Sequence, residues 1–156
     1  MKKEIKAAVG WWADQLRSVP EHDNGVGLDS AFARMAAKCT RPVITEDHIE
    51  RFAEELADRW RARTGDNWYP DDPLRGGYLR TVATDYGPSV ILAESMAAAG
   101  IENNRLVLPI KTVMWIDPGK VSVSCGYGAG VEVIYEGDKR FVKQKKKRGS
   151  QDCAKN

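Results

Sequence analysis

Apolar residues near the start of the chain recur at intervals of three and four, so that Ile5, Ala8, Val9, Trp12 and Leu16 share one face of a helix. The spacing predicts an amphipathic helix that stops before Pro20, since a residue ahead of proline disfavours the helical region. Glu21 to Gly27 is polar and holds two glycines, which reads as a loop. Leu28 to Cys39 returns to helical spacing, with Asp29 or Ser30 as cap and Leu28, Phe32, Met35, Ala36 and Cys39 inward.

The clearest helix follows Pro42. Thr45 is its expected N-cap, and Glu46 and Asp47 complement the helix dipole in the first turn. Ile49, Phe52, Ala53, Leu56 and Trp60 form its apolar stripe to about Arg63, and Thr64 to Asn67 ends it. From Trp68 to Gly77 the chain is punctuated by proline and glycine, and Tyr78 to Ala83 then carries a strand signal. Asp85 to Pro88 is a turn, and a helix is expected from about Ser89 to Ala99 with Gly100 as a left-handed cap.

The remainder reads as β structure. Val113 to Ile116 is a short strand. Val121, Val123 and Cys125 alternate with serines, and Val131, Val133 and Tyr135 alternate with Glu132 and Ile134. Gly126, Gly128 and Gly130 supply the positive-φ positions of a hairpin between them. Helices first and antiparallel strands last predict an α+β domain, N-terminal helices packed on a small, mostly antiparallel β-sheet.

Composition narrows the class without changing this picture. The 156 residues are 42% hydrophobic and 29% charged, ordinary for one globular domain. No apolar run is long enough to cross a membrane. Cys39, Cys125 and Cys153 are widely spaced and odd in number, which argues for a reducing compartment and against a disulfide framework or a zinc site. Charge is unevenly placed: residues 137–156 carry eight Lys/Arg against two acids, leaving 16 against 20 in the body. The domain is therefore expected over residues 1–136, with 137–156 a basic, disordered tail.

Catalytic chemistry finds no constellation. His22 and His48 have no Cys or carboxylate at ligand spacing and read as surface histidines. Gly126-x-Gly128-x-Gly130 precedes a strand, whereas a dinucleotide cradle must open a helix. Asp71 and Asp72 are adjacent rather than opposed, which suits turn chemistry. No Gly-x-Ser-x-Gly occurs, and Cys125 reads as a buried strand residue rather than a nucleophile. The sequence is read as that of a non-enzyme, with no cofactor, metal or small-molecule substrate.

The aromatic residues are more informative. Trp12 and Trp60 lie on core stripes, and Trp11 points to a flank of the first helix. Trp68 and Trp115 sit beside prolines and acids in short segments. In Trp115-Ile116-Asp117-Pro118 a flat ring, a carboxylate and a chain stop meet at a sheet rim. Tryptophan buries much area at small conformational cost, and so is common in binding hot spots.

Several motifs in order resemble the BTG/Tob antiproliferative family. Met1 to Val9 is similar to the family's first helix, and His48 to Leu56 to the next. Asn67-Trp-Tyr-Pro-Asp-Asp-Pro73 with Gly76-Gly-Tyr78 resembles its first signature box. Leu108-Pro109, Met114-Trp-Ile-Asp-Pro118, Val121-Ser122 and Val133-Ile-Tyr-Glu136 resemble its second box and following strands. The match covers about residues 1–18 and 45–136, and leaves an insertion at about 19–44. The resemblance implies a non-catalytic adaptor that binds the Caf-type deadenylase subunit of the CCR–NOT complex, promotes mRNA deadenylation and restrains proliferation, in cytoplasm and nucleus. The implied contacts fall on Tyr78, Trp115 and Asp117, with Pro118 and Trp68 beside them. Three features depart from the family's pattern: Asp71-Asp72 where Glu-Lys is usual, Gly76-Gly77 where Gly-Ser-Gly is usual, and Gly119-Lys120 where an aromatic-acid pair is usual. Charge changes at a rim alter partner choice and on-rate more than folding.

The tail residues Lys143, Lys145, Lys146, Lys147 and Arg148 form either a solvated charge run or a patch for nuclear import or weak RNA contact. They also frame the alternative reading, a direct nucleic-acid-binding module that uses the tail for phosphates and exposed aromatics for stacking. No membrane partner is expected.

Overall fold

A computed structural model describes residues 1–18, 44–101 and 108–137. The predicted helix at 28–39, His22, Cys39, Cys153 and the tail lysines lie outside the described residues.

Helix α1 spans Lys2–Arg17 and buries the predicted face, including Ile5, Ala8, Val9, Trp12 and Leu16. Helix α2 spans Glu46–Thr64, and Thr45 caps it with a reciprocal pair of bonds. The Thr45 hydroxyl accepts the His48 N–H at 3.3 Å, and His48 Nδ1 accepts the Thr45 N–H at 3.3 Å. His48 thus fills the place usually taken by Glu or Gln in a capping box. A short 3-10 turn, Gly65–Asn67, leads into the loop that begins at Trp68.

One turn of helix, α3 (Gly77–Arg80), precedes strand β1 (Thr81–Thr84). The strand expected from Tyr78 is therefore helical over its first three residues. Gly76, at φ +72°, turns the chain there, and the Thr81 hydroxyl donates to the Gly77 carbonyl at 2.9 Å. Helix α4 runs Val90–Ala98, and Gly100 adopts the expected left-handed conformation at φ +74°. Strands β2 (Thr112–Asp117), β3 (Lys120–Cys125) and β4 (Glu132–Glu136) complete an antiparallel sheet ordered β1-β2-β3-β4.

Helix α2 packs against both α1 and α4, and α1 lies across β2, β3 and β4. The core lies between these helices and the inner face of the sheet, where Met114, Ile116, Val121 and Val123 meet Trp12, Phe52, Leu56 and Trp60. Full burial of side chains this size stabilises by about 1.5–3 kcal/mol each. At the helix ends, Arg17 grips Glu46 through two bonds from Nε, at 3.0 and 3.2 Å, tying α1 to α2.

Two strand expectations are corrected. Register slips between Val121 and Ser122, so that Val121 faces Tyr135 while Ser122 faces Val133. Ile134 is the extra residue, and the bulge breaks the simple alternation. Ile134 and Tyr135 consequently pack on the core, whereas Val131 and Val133 are exposed. Cys125 is also exposed rather than buried. It ends β3 opposite Thr112, whose hydroxyl donates to its sulfur at 3.3 Å.

Candidate functional site

Alternation along β2 decides what each side of the sheet presents. Thr112, Met114 and Ile116 are buried on the helix side, so Val113, Trp115 and Asp117 stand on the opposite face. Trp115 pairs with Thr81 on β1 and Ser122 on β3, both small, and its ring is half-buried between them. Val133 continues this row from β4 and is 45% exposed. Asp117 closes the row, opposite Lys120.

The turn between β2 and β3 has Pro118 second and Gly119 third, with Gly119 at φ +81°. That is the arrangement a type II turn requires. The Gly119 N–H donates to Glu4 Oε1 at 3.0 Å, and its carbonyl accepts from Gly137 at 2.8 Å. Gly119-Lys120 is therefore a fixed corner, tied both to α1 and to the end of β4.

Arg80 organises the other half of the site. It has no exposed surface, and all five of its N–H groups find acceptors. Nε donates to the Ile116 carbonyl at 2.9 Å. Nη1 donates to the carbonyls of Asn67 at 3.0 Å and Arg75 at 2.7 Å. Nη2 donates to the Pro73 carbonyl at 2.5 Å and to Asp117 Oδ1 at 3.1 Å. One guanidinium thus gathers the loop from Asn67 to Arg75 onto the end of β2. Gly76 leaves room for it, since a Cβ there would come within 3.4 Å of Arg80 Nη1.

Trp68 lies half-buried against the core with the Arg80 guanidinium 5.8 Å from its ring centre. This cation–π contact makes Trp68 a support of the loop. Tyr78 is 77% exposed on α3, three residues before the Thr81 that pairs with Trp115. Leu74, at 85% exposure, extends from the same loop. Asp71 and Asp72 are exposed in it, and Arg75 stacks over Tyr69 at 4.2 Å.

The structure therefore brings Trp115, Asp117 and Pro118 together on β2 and its turn, with Tyr78 on the helical turn that feeds the paired strand. Sequence reasoning missed Arg80, Leu74 and Val133. A lone arginine in a segment read as a strand carries no signal of burial, and Val133 turns outward only because of the bulge. Among the described residues, no group of three or more His, Cys, Asp and Glu side chains could hold a metal ion.

Known proteins share this fold. The BTG/Tob domain of C. elegans FOG-3 superimposes with a TM-score of 0.64 at 20% identity, covering 88% of this chain and 92% of that domain. Human Tob2 is 34% identical over 89 residues, which cover 56% of this chain and 26% of Tob2. A BTG family protein of Dictyostelium discoideum is 27% identical over 124 residues, covering 79% of this chain and 24% of that protein. The chain spans about a quarter of the length of these curated relatives. The family model described as BTG matches residues 29–135, well over half the chain, and the chain belongs to the BTG family.

Proposed function

We propose that the domain is a non-enzymatic adaptor that docks the Caf-type deadenylase subunit of the CCR–NOT complex. By that docking it promotes mRNA deadenylation and restrains proliferation, acting in cytoplasm and nucleus. The observation that carries this reading is Trp115, half-exposed on the outer sheet face beside Asp117, with Tyr78 exposed on the adjoining helical turn. An aromatic anchor flanked by a carboxylate and a second exposed ring suits a protein partner, and the order of motifs resembles the boxes through which this family engages the nuclease. The acids at 71 and 72 and the exposed Lys120 set the charge around the anchor, and so bear on partner choice.

The test is a calorimetric titration of the full chain with a Caf-type subunit, using Trp115→Ala and Tyr78→Ala alongside. Micromolar or tighter binding that collapses in both folded variants is the expected result. Wild-type binding that survives both substitutions would overturn the assignment of this face. If RNA is bound instead, through the tail at 143–148, the affinity will fall steeply with added salt and ignore Trp115.

A further inference from the structure

A second feature lies away from the Trp115 face. A groove of about 540 Å³ runs between the exposed flank of α1 and strand β4. Ala7, Gly10 and Trp11 line it from the helix, and Ile134 and Tyr135 from the strand, so its floor is apolar. The geometry points to a docking site for an acidic, amphipathic segment of a partner protein.

Three observations converge on this. Lys3 and Lys6 are exposed on the groove's rim, and neither forms an ion pair among the described residues. Asp14, on the rim two turns further along α1, shares Arg17 with Glu46, and the two lysines outnumber it. The uncompensated charge along the groove is therefore positive above an apolar floor. Carboxylates flanking a large apolar side chain complement both properties.

Gly10 supplies the second observation. Glycine inside a helix costs about 1 kcal/mol relative to alanine. No atom lies within 4 Å of where its Cβ would be, so the packing of the domain does not require it. What the missing side chain does is keep the centre of the groove open for close approach.

Trp11 supplies the third. Its ring stands edge-on to Trp12, at 90° with centroids 4.9 Å apart, which fixes it as an aromatic wall. Strand β4, the opposite wall, is the edge of the sheet among the described residues, next to β3. Residues 137–156, eight basic against two acidic, carry charge of the same sign as Lys3 and Lys6. Two cations offer a nucleic acid few phosphate contacts, and the oligouridylate below tests whether the groove's rings attract bases instead.

The test uses the full chain and a short labelled helical peptide with Leu and Phe on one face and Glu at the flanking positions. Fluorescence anisotropy is read against three comparators: the same peptide with Lys for Glu, the same with Ser for Leu and Phe, and a labelled oligouridylate. The acidic peptide is expected to bind in the micromolar range, ahead of all three. Gly10→Leu fills the groove while improving helix propensity, and should weaken binding by about tenfold or more, over 1.4 kcal/mol, with an undiminished unfolding temperature. Lys3→Glu with Lys6→Glu should shift preference to the Lys peptide. Trp115→Ala should leave this binding unchanged, which separates it from nuclease docking. Binding indifferent to Gly10→Leu, no preference among the peptides, or oligouridylate bound more tightly than the acidic peptide in a Gly10-dependent way would each overturn the proposal.

Discussion

Arg80 donates to Asp117 Oδ1 at 3.1 Å, so the carboxylate beside Trp115 is also the counter-ion of a fully buried cation. The remaining four Arg80 bonds go to main-chain carbonyls of the loop from Asn67 to Arg75 and of Ile116. Arg80→Met would leave those carbonyls unpaired and release the loop. A destabilisation of about 3–5 kcal/mol is expected, in the range for breaking a buried ion pair. Arg80→Lys should recover little, because an ammonium cannot reproduce the planar fork. Urea unfolding of the three proteins checks both statements.

The same contact changes how variants at the site are read. Asp117→Ala removes a partner of buried Arg80, so it should lower stability as well as any nuclease binding. Tyr78→Ala, at a residue 77% exposed, should leave stability within about 0.5 kcal/mol. If the proposed docking is right, Tyr78→Ala and Trp115→Ala should each weaken it by about 2 kcal/mol or more. Thermal unfolding and calorimetry on one set of samples separate the effects. Equal losses of stability in Tyr78→Ala and Asp117→Ala would refute this account.

Three helices were legible, each from its own mark: an apolar stripe in α1, a stripe with a capping threonine in α2, and a proline start with a glycine stop around α4. Thr45 begins α2, Gly100 follows α4, and Trp12 and Trp60 lie in the core as their stripes predict. The β face was less legible. Alternation predicts a face only while register is constant, and the bulge at Ile134 turns Val133 outward without any local sequence mark. Tyr78–Arg80 was misread as strand because its helical turn is held by tertiary bonds to Arg80 and by Gly76, which no local pattern reports. Trp115 stands out by its type and neighbours, and the resemblance adds Asp117 and Tyr78, whereas the cation that holds Asp117 comes from a residue 37 positions earlier.

Gly10 makes a stability prediction independent of any partner. Its Cβ position is open, so Gly10→Ala should stabilise the domain by about 0.5–1 kcal/mol through helix propensity alone. Chemical unfolding measures this directly. A loss of stability would mean that the helix needs glycine there, and the groove argument would fall with it.

Glu4 couples the first helix to the turn beside the anchor, and its ionisation gives a pH dependence with a defined sign. The residue is 8% exposed, and its carboxylate accepts the Gly119 N–H at 3.0 Å and pairs with the amino group of Met1 at 2.6 Å. Burial alone pushes the carboxyl upward, but the amino group, the Glu4 main-chain N–H and the Gly119 N–H outweigh it, holding the pKa below the usual 4.5. A carboxylate with a depressed folded pKa contributes stability that is fully present above its unfolded pKa. That contribution is lost as pH falls through the lower, folded value. Glu4→Gln should therefore cost about 1–2 kcal/mol at neutral pH, as loss of a charge-assisted bond does. The two proteins should converge in stability below the folded pKa. Urea midpoints from neutral to acid pH test this, and parallel curves for the two proteins would show that the Glu4 carboxylate does not hold the Gly119 corner.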